Sequence, residues 1–123
     1  MVLTVSPVPL LAPVLGRIGR ALAPSAGFSL QRCYDVFLLS DALGAHAEQA
    51  ADSTSISVAL GARDQRLEFA LAPLRQGTSA HLERPESSPT RADVLASLGD
   101  EVAILTRDGH ETLRISMRDH LRA

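Results

Sequence analysis

The stretch SISVALGARDQRLEFALA, residues 55–72, decides the fold class of this chain. Apolar side chains occupy every second position in residues 55–60 and again in residues 66–72, which is typical of strands with one buried face. The alternating residues are Ile56, Val58 and Leu60 in the first segment and Leu67, Phe69 and Leu71 in the second. Because only the short polar link 61–65 separates them, the pattern predicts an antiparallel hairpin.

Three more strands are predicted from the rest of the chain. Residues 101–107 and 111–117 flank Asp108-Gly109, a dipeptide that favours a tight hairpin turn. Residues 2–5 are apolar or β-branched, and the prolines that follow end this first strand.

Two helices are predicted between the first strand and the hairpin. The first has apolar residues at helical spacing, with Pro13 acceptable in the first turn. Ser29 is predicted as the N-cap of the second helix, which is expected to run to about Ala50. The predicted buried stripes are Leu11, Val14, Leu15, Ile18 and Leu22 in the first helix, and Leu30, Tyr34, Phe37, Leu38 and Ala45 in the second. The connection is expected at Pro24, Ser25 and Gly27.

The remaining segments are polar. Residues 73–89 form the longest predicted loop, with one helical turn at 79–84, and long loops in compact domains tend to be functional. Thr90 is expected to cap a short helix that Gly99 ends. Residues 118–123 are expected to fray.

Strands in hairpins with segregated helices predict an α+β fold. We expect a two-layer α/β sandwich whose mixed, mostly antiparallel sheet carries its helices on one face. The length fits a single domain, residues 1–123.

Composition excludes several function classes. The chain contains no lysine, so it has neither a P-loop lysine nor a Schiff-base lysine, and it contains no asparagine. A net charge of -2 predicts no nucleic-acid partner, and the interrupted apolar run 8–22 is too short for a membrane span. Because the single Cys33 cannot form an internal disulfide, we expect a cytoplasmic protein.

The element order and two phrases, DVFLLSDALGAHA at 35–47 and APLRQG at 72–77, resemble the GHKL-type, histidine-kinase-like ATPase domain of the bacterial anti-sigma-factor serine kinases. In that family the second helix carries an acidic residue, then an asparagine that holds Mg²⁺, then a His-Ala pair. Aligned on His46-Ala47, the asparagine falls on Ala42 and the acid on Leu38, and neither offers an oxygen ligand. The neighbouring Asp41 has a carboxylate, but its side chain would point about 100° away from that of Ala42 around the helix axis.

The second family motif, Asp-x-Gly-x-Gly, is similarly altered. Pro73 stands where the adenine-reading Asp would be, Arg75 replaces the first glycine, and Gly77 remains. Proline offers neither carboxylate nor N–H, so the usual adenine contact is lost. The resemblance implies a nucleotide site whose metal and adenine ligands are missing. Its positions here are Asp41, Ala42, His46, Pro73, Arg75 and Gly77.

Three functional hypotheses follow. The first is a non-catalytic regulatory module, with no cofactor or metal, that binds a sigma factor or an anti-anti-sigma (STAS-type) domain. The second is an ATP-binding serine/threonine kinase or nucleotide sensor in which His46, Asp41, Arg75 and Gly77 form an altered site for ATP or ADP. The third is a structural subunit that forms a homodimer through an open sheet edge or the apolar first helix.

Other reactive residues favour ordinary structural roles. The four histidines, His46, His81, His110 and His120, lack metal-ligand spacing. Cys33, near the apolar stripe of the second helix, is predicted to be an inert thiol. The arginines Arg75, Arg84 and Arg91 are more typical of a solvated loop than of an anion site, although arginine also pairs bidentately with carboxylates and phosphates.

Overall fold

The computed structural model of the chain describes residues 1–78 and 98–119. Five strands and two α-helices lie in these residues, as predicted. They are β1 (Val2–Val5), α1 (Leu11–Ser25), α2 (Leu30–Ala50), β2 (Ile56–Arg63), β3 (Arg66–Arg75), β4 (Glu101–Arg107) and β5 (His110–Arg118). The predicted helical turn at 79–84, most of the predicted loop and all but the last two residues of the predicted helix 90–99 lie outside the described residues.

The five strands form one sheet in the order β1-β2-β3-β5-β4, and each neighbouring pair is antiparallel. The α+β fold is therefore confirmed, with an antiparallel rather than a mixed sheet. Both hairpins turn through two residues of positive φ, Asp64-Gln65 and Asp108-Gly109, a turn whose twist matches that of the strands. The first link is consequently shorter than predicted, because β2 extends to Arg63.

The face of the sheet that meets the helices is apolar. Its buried side chains align across the strands, so that they pack on one another as well as on the helices. One cross-strand row is Val58, Leu71 and Leu113, and the next is Leu60, Phe69 and Ile115. The other face, which we call the open face, carries small and charged residues such as Ala59, Ala70 and Arg114.

α1 and α2 approach each other closely through small residues. A Cβ atom placed on Gly44 would lie 2.4 Å from the Cβ of Ala12, and one on Gly19 would lie 2.9 Å from Cγ1 of Val36. A side chain at either glycine would therefore push the helices apart. Leu11 and Leu15 of α1 are fully buried, as predicted.

The stripe predicted for α2 was wrong. Leu30, Tyr34 and Phe37 are exposed, and a different set of α2 residues faces the core. That set includes Val36, Leu39, Ala42, Leu43, Ala47 and Ala50. Because α2 packs against both α1 and β3, it buries a wide face of mostly small residues, whereas the prediction followed the larger side chains.

Three predicted boundaries also differ. Pro24 lies in the last turn of α1 rather than in the connection. β3 passes Pro73 and continues to Arg75, because a register shift between Leu71 and Leu74 spares the proline a ladder hydrogen bond. Arg118 lies in β5, and Asp119 is buried rather than frayed.

Candidate functional site

The six positions predicted for a nucleotide site lie in two parts of the fold. Asp41 is exposed on α2 and lines a groove between α1 and α2, whereas Ala42 and His46 are buried on the same helix. Pro73 and Arg75 belong to the end of β3, and Gly77 follows it. Asp41 lines this groove, and the other five predicted positions do not.

The end of β3 is tied to its surroundings by the candidate residues themselves. The Arg75 guanidinium donates a hydrogen bond to the carbonyl of Gln49, in the last turn of α2. The backbone N–H of Gly77 donates to the carboxylate of Glu111, a buried residue at the start of β5. Both groups thus make contacts within the chain that hold β3 against α2 and β5.

The groove between the helices has a volume of about 300 Å³. It is lined by Ala12, Pro13, Gly16, Arg17, Arg20, Phe37 and Asp41. The Arg20 guanidinium lies over the Phe37 ring, 5.5 Å from its centroid, in a cation–π arrangement. A Cβ placed on Gly16 would lie 3.6 Å from the same ring, an ordinary van der Waals contact.

An apolar stripe lies exposed on α2 beside this groove. Leu30 is 90% exposed, Tyr34 62% and Phe37 40%, at the i, i+4 and i+7 spacing that places them on one side of the helix. We call these three residues the α2 stripe. The chain has only three phenylalanines and one tyrosine, so two of its four aromatic residues are on this surface.

Two arginines border the groove without an ion pair. Across residues 1–78 and 98–119, Arg17 and Arg20 contact no carboxylate within ion-pair distance. By contrast, Arg32 in the first turn of α2 pairs with Asp35 and Asp100, each at 3.1 Å. Within the described residues, Arg17 and Arg20 therefore leave a net positive charge beside the α2 stripe, offset in part by Asp41, which lines the same groove.

The start of α2 is fixed by a network that the sequence did not reveal. The Ser29 hydroxyl accepts a hydrogen bond from Arg32 N at 3.2 Å, which confirms the predicted cap. Ser29 N in turn donates to Oδ2 of Asp119 at 2.5 Å, and Arg32 Nε donates to the carbonyl of Arg118 at 2.9 Å. Because these partners are about 90 residues apart, no local pattern could predict the pairing.

Cys33 and His110 have defined surroundings. Burial, and secondarily the charge of Asp119, raises the pKa of the Cys33 thiol above its ordinary value of 9.0, so the thiolate nucleophile is disfavoured. His110 Nδ1 lies 2.6 Å from Oδ2 of Asp52, at the same end of the sheet as Arg75. This contact joins the start of β5 to the segment after α2.

Within residues 1–78 and 98–119, no cluster of three His, Cys, Asp or Glu side chains could hold a metal ion. None of the described helices is long and apolar enough to cross a membrane. The chain matches no protein-family model and no curated protein. The GHKL resemblance thus stays a prediction from the sequence.

Proposed function

We propose that this chain is a non-catalytic regulatory module that binds another protein, in the manner of the anti-sigma factors that its sequence resembles. The observation that carries the proposal is the α2 stripe, which exposes Tyr34 and Phe37. Exposing an aromatic side chain to water is energetically unfavourable. Aromatic residues are enriched among those that contribute most of the binding energy at protein interfaces. Two of the four aromatic residues of the chain lie in the α2 stripe.

The charge beside the stripe selects the chemistry of the partner. Arg17 and Arg20 would pair with carboxylates, and they line the groove of about 300 Å³ to which Phe37 of the α2 stripe also belongs. A second copy of the chain would bring the same two arginines to a twofold interface, where like charges repel. An acidic amphipathic helix of a sigma factor or a STAS-type domain is therefore the proposed occupant.

The candidate nucleotide positions support a non-catalytic role. The Gly77 N–H donates to Glu111 and one nitrogen of the Arg75 guanidinium donates to Gln49, so a nucleotide at these positions would compete with contacts within the chain. The proposal that ATP or ADP is dispensable is tested by thermal melting with each nucleotide, with and without Mg²⁺. A nucleotide at a hundredfold excess over its Kd would raise stability by about 2.7 kcal/mol. Such a shift would favour the nucleotide sensor instead.

The binding test mixes the chain with sigma factors and STAS-type proteins of its own genome on a sizing column. We expect one of them to co-elute with the wild type. Tyr34→Ser or Phe37→Ser should weaken that complex at least tenfold, because truncating an aromatic residue at the centre of an interface costs roughly 2 kcal/mol or more. Leu105→Ser is the matched control, since Leu105 is a half-exposed apolar residue on β4, away from the helices. Equal loss in the control, or no co-elution with any candidate, would contradict the proposal.

A further inference from the structure

Three arginines lie side by side at one end of the open face. Arg63 on β2 is the direct cross-strand neighbour of Arg66 on β3, and Arg66 is the neighbour of Arg118 on β5. We call these residues the arginine row. Since adjacent strands are about 4.8 Å apart, the row spans roughly 10 Å. Like charges directly opposite one another repel, so an anion bound at the arginine row would stabilise the fold.

The carboxylate on β4 only partly compensates the row. Glu101 pairs with Arg118 at 3.1 Å but reaches Arg66 only at 3.9 Å, the outer limit of an ion pair. Within residues 1–78 and 98–119, the Nε of Arg66 is buried and has no hydrogen-bond partner. Buried donors without an acceptor are rare in folded proteins, so these residues do not fully satisfy the Arg66 guanidinium.

The other nearby carboxylates do not complete the row. Asp64 lies 3.6 Å from Arg63, but both side chains are about 90% exposed, and an ion pair in that setting contributes little. Glu68 is engaged by Arg114 at 3.2 Å. Among the described residues, Glu101, with a side chain 60% exposed, thus reaches two of the three guanidinium groups, whereas Asp100 pairs with Arg32 and accepts from the Arg118 backbone N–H.

A depression of about 670 Å³ opens at the row. It is lined by Gly61, Ala62, Arg63, Asp64, Arg66, Glu68 and Arg118. Its volume falls in the range of about 300–1,000 Å³ that small-molecule sites occupy. Gly61 and Ala62 contribute almost no side-chain bulk, which leaves the arginines accessible to a ligand.

The backbone beneath the row is anchored at the tip of the β2–β3 hairpin. Gln65 N donates to the carbonyl of Ala26 at 2.7 Å, and Asp119 N donates to the carbonyl of Gln65 at 3.1 Å. These two bonds tie the hairpin tip to the end of α1 and to the residue after β5. A site built on a fixed backbone loses less freedom when a ligand binds.

We propose that this depression binds a small molecule carrying at least two phosphoryl or carboxylate groups. Arg66 is placed to bind one group, and Arg118 or Arg63 the other, because the row is wide enough for two oxyanions. The site lies on the open face, so it is independent of the α2 stripe and of the proposed protein partner. Its lining residues bind and orient an anion without a nucleophile beside it.

The test uses sodium pyrophosphate and citrate as separate probes on the full chain, each against sodium chloride at matched ionic strength. Calorimetry measures affinity, and amide chemical shifts locate the site. We expect saturable binding of at least one probe, with shifts concentrated in residues 61–68 and at Arg118. Pyrophosphate binding alone would assign the site to phosphoryl groups, and citrate binding alone to carboxylates.

Matched variants decide whether the arginine row is responsible. Arg66→Gln is expected to weaken binding by about tenfold or more, and Arg63→Gln, whose side chain is almost fully exposed, tests the row without risk to folding. Arg107→Gln, at the opposite end of β4, is the control and should bind as the wild type does. No saturable binding, a chloride effect of equal size, or equal loss in Arg107→Gln would overturn the proposal.

Discussion

The helix layer and the open face of the sheet expose different chemistry. On the helix layer, Tyr34 and Phe37 are exposed beside Arg17 and Arg20, which form no ion pair with any carboxylate of residues 1–78 and 98–119. On the open face, apart from Val2 and Leu105, the exposed residues are mostly small or charged, and arginines such as Arg114 pair with cross-strand acids. The first surface suits a protein that supplies apolar area and acidic side chains, and the second suits a small anion.

The two layers also differ in how tightly they are packed. A Cβ placed on Gly44, on the inner side of the helix pair, would lie 2.5 Å from the Cα of Ala12, whereas one placed on Gly61, on the open face, would have none of the described residues within 4 Å. The same residue type thus serves close approach in one layer and leaves space in the other. Substitutions at both positions test this difference directly.

Gly44→Ala should lower the stability of the chain far more than Gly61→Ala. Alanine gains about 0.5–1 kcal/mol over glycine in a helix, but its Cβ would lie 2.5 Å from the Ala12 Cα, and overpacking against backbone costs roughly 1–3 kcal/mol or more. We expect a net loss of about 2 kcal/mol in the free energy of unfolding, measured by urea denaturation. Gly61→Ala should change it by less than about 0.5 kcal/mol. Equal effects would show that the helices have room to separate.

Asp119→Asn should lower stability by a similar amount, because Asp119 links the two layers. Its carboxylate accepts a hydrogen bond from Ser29 N at the start of α2, and its own N–H bonds to the β2–β3 hairpin. Losing a charge-assisted bond costs about 1.5–3 kcal/mol. Urea denaturation measures the loss, with Asp108→Asn in an exposed turn as the control that should stay near wild type. A smaller loss than in the control would remove Asp119 from this role.

The sequence was a good guide to the strands and a poor one to the outer surface of α2. Alternation in the β2–β3 hairpin and the Asp108-Gly109 turn are local signals, and both predictions were confirmed. The prediction that Leu30, Tyr34 and Phe37 are buried was wrong, because apolar spacing alone does not distinguish a residue that faces the core from one that faces solvent. The arginine row and the contacts of Asp119 depend on strand order, which brings Arg66 beside Arg118 across 52 residues of chain.

Cys33, half-buried on α2, gives the helix layer a pH dependence. Its pKa is raised in the folded state, so the unfolded chain loses the thiol proton first, and stability falls as the pH rises above about 9 and through the folded pKa. We expect Cys33→Ala to flatten this decline, measured as the free energy of unfolding between pH 8 and 10.5. Asp119→Asn should lower the Cys33 pKa only in part, because burial is the larger cause. An unchanged slope in Cys33→Ala would contradict the assignment.

Tyr34→Ser should have the smallest effect on stability, and that is what separates the α2 stripe from the core. Because Tyr34 is 62% exposed, its removal should change the free energy of unfolding by less than about 0.5 kcal/mol, measured by urea denaturation. Leu39→Ala, fully buried on the same helix, should lose about 2–5 kcal/mol in the same assay. If Tyr34→Ser weakens the protein complex while leaving the fold intact, Tyr34 acts at the interface. If Tyr34→Ser instead destabilised the chain as Leu39→Ala does, its effect on binding would reflect unfolding.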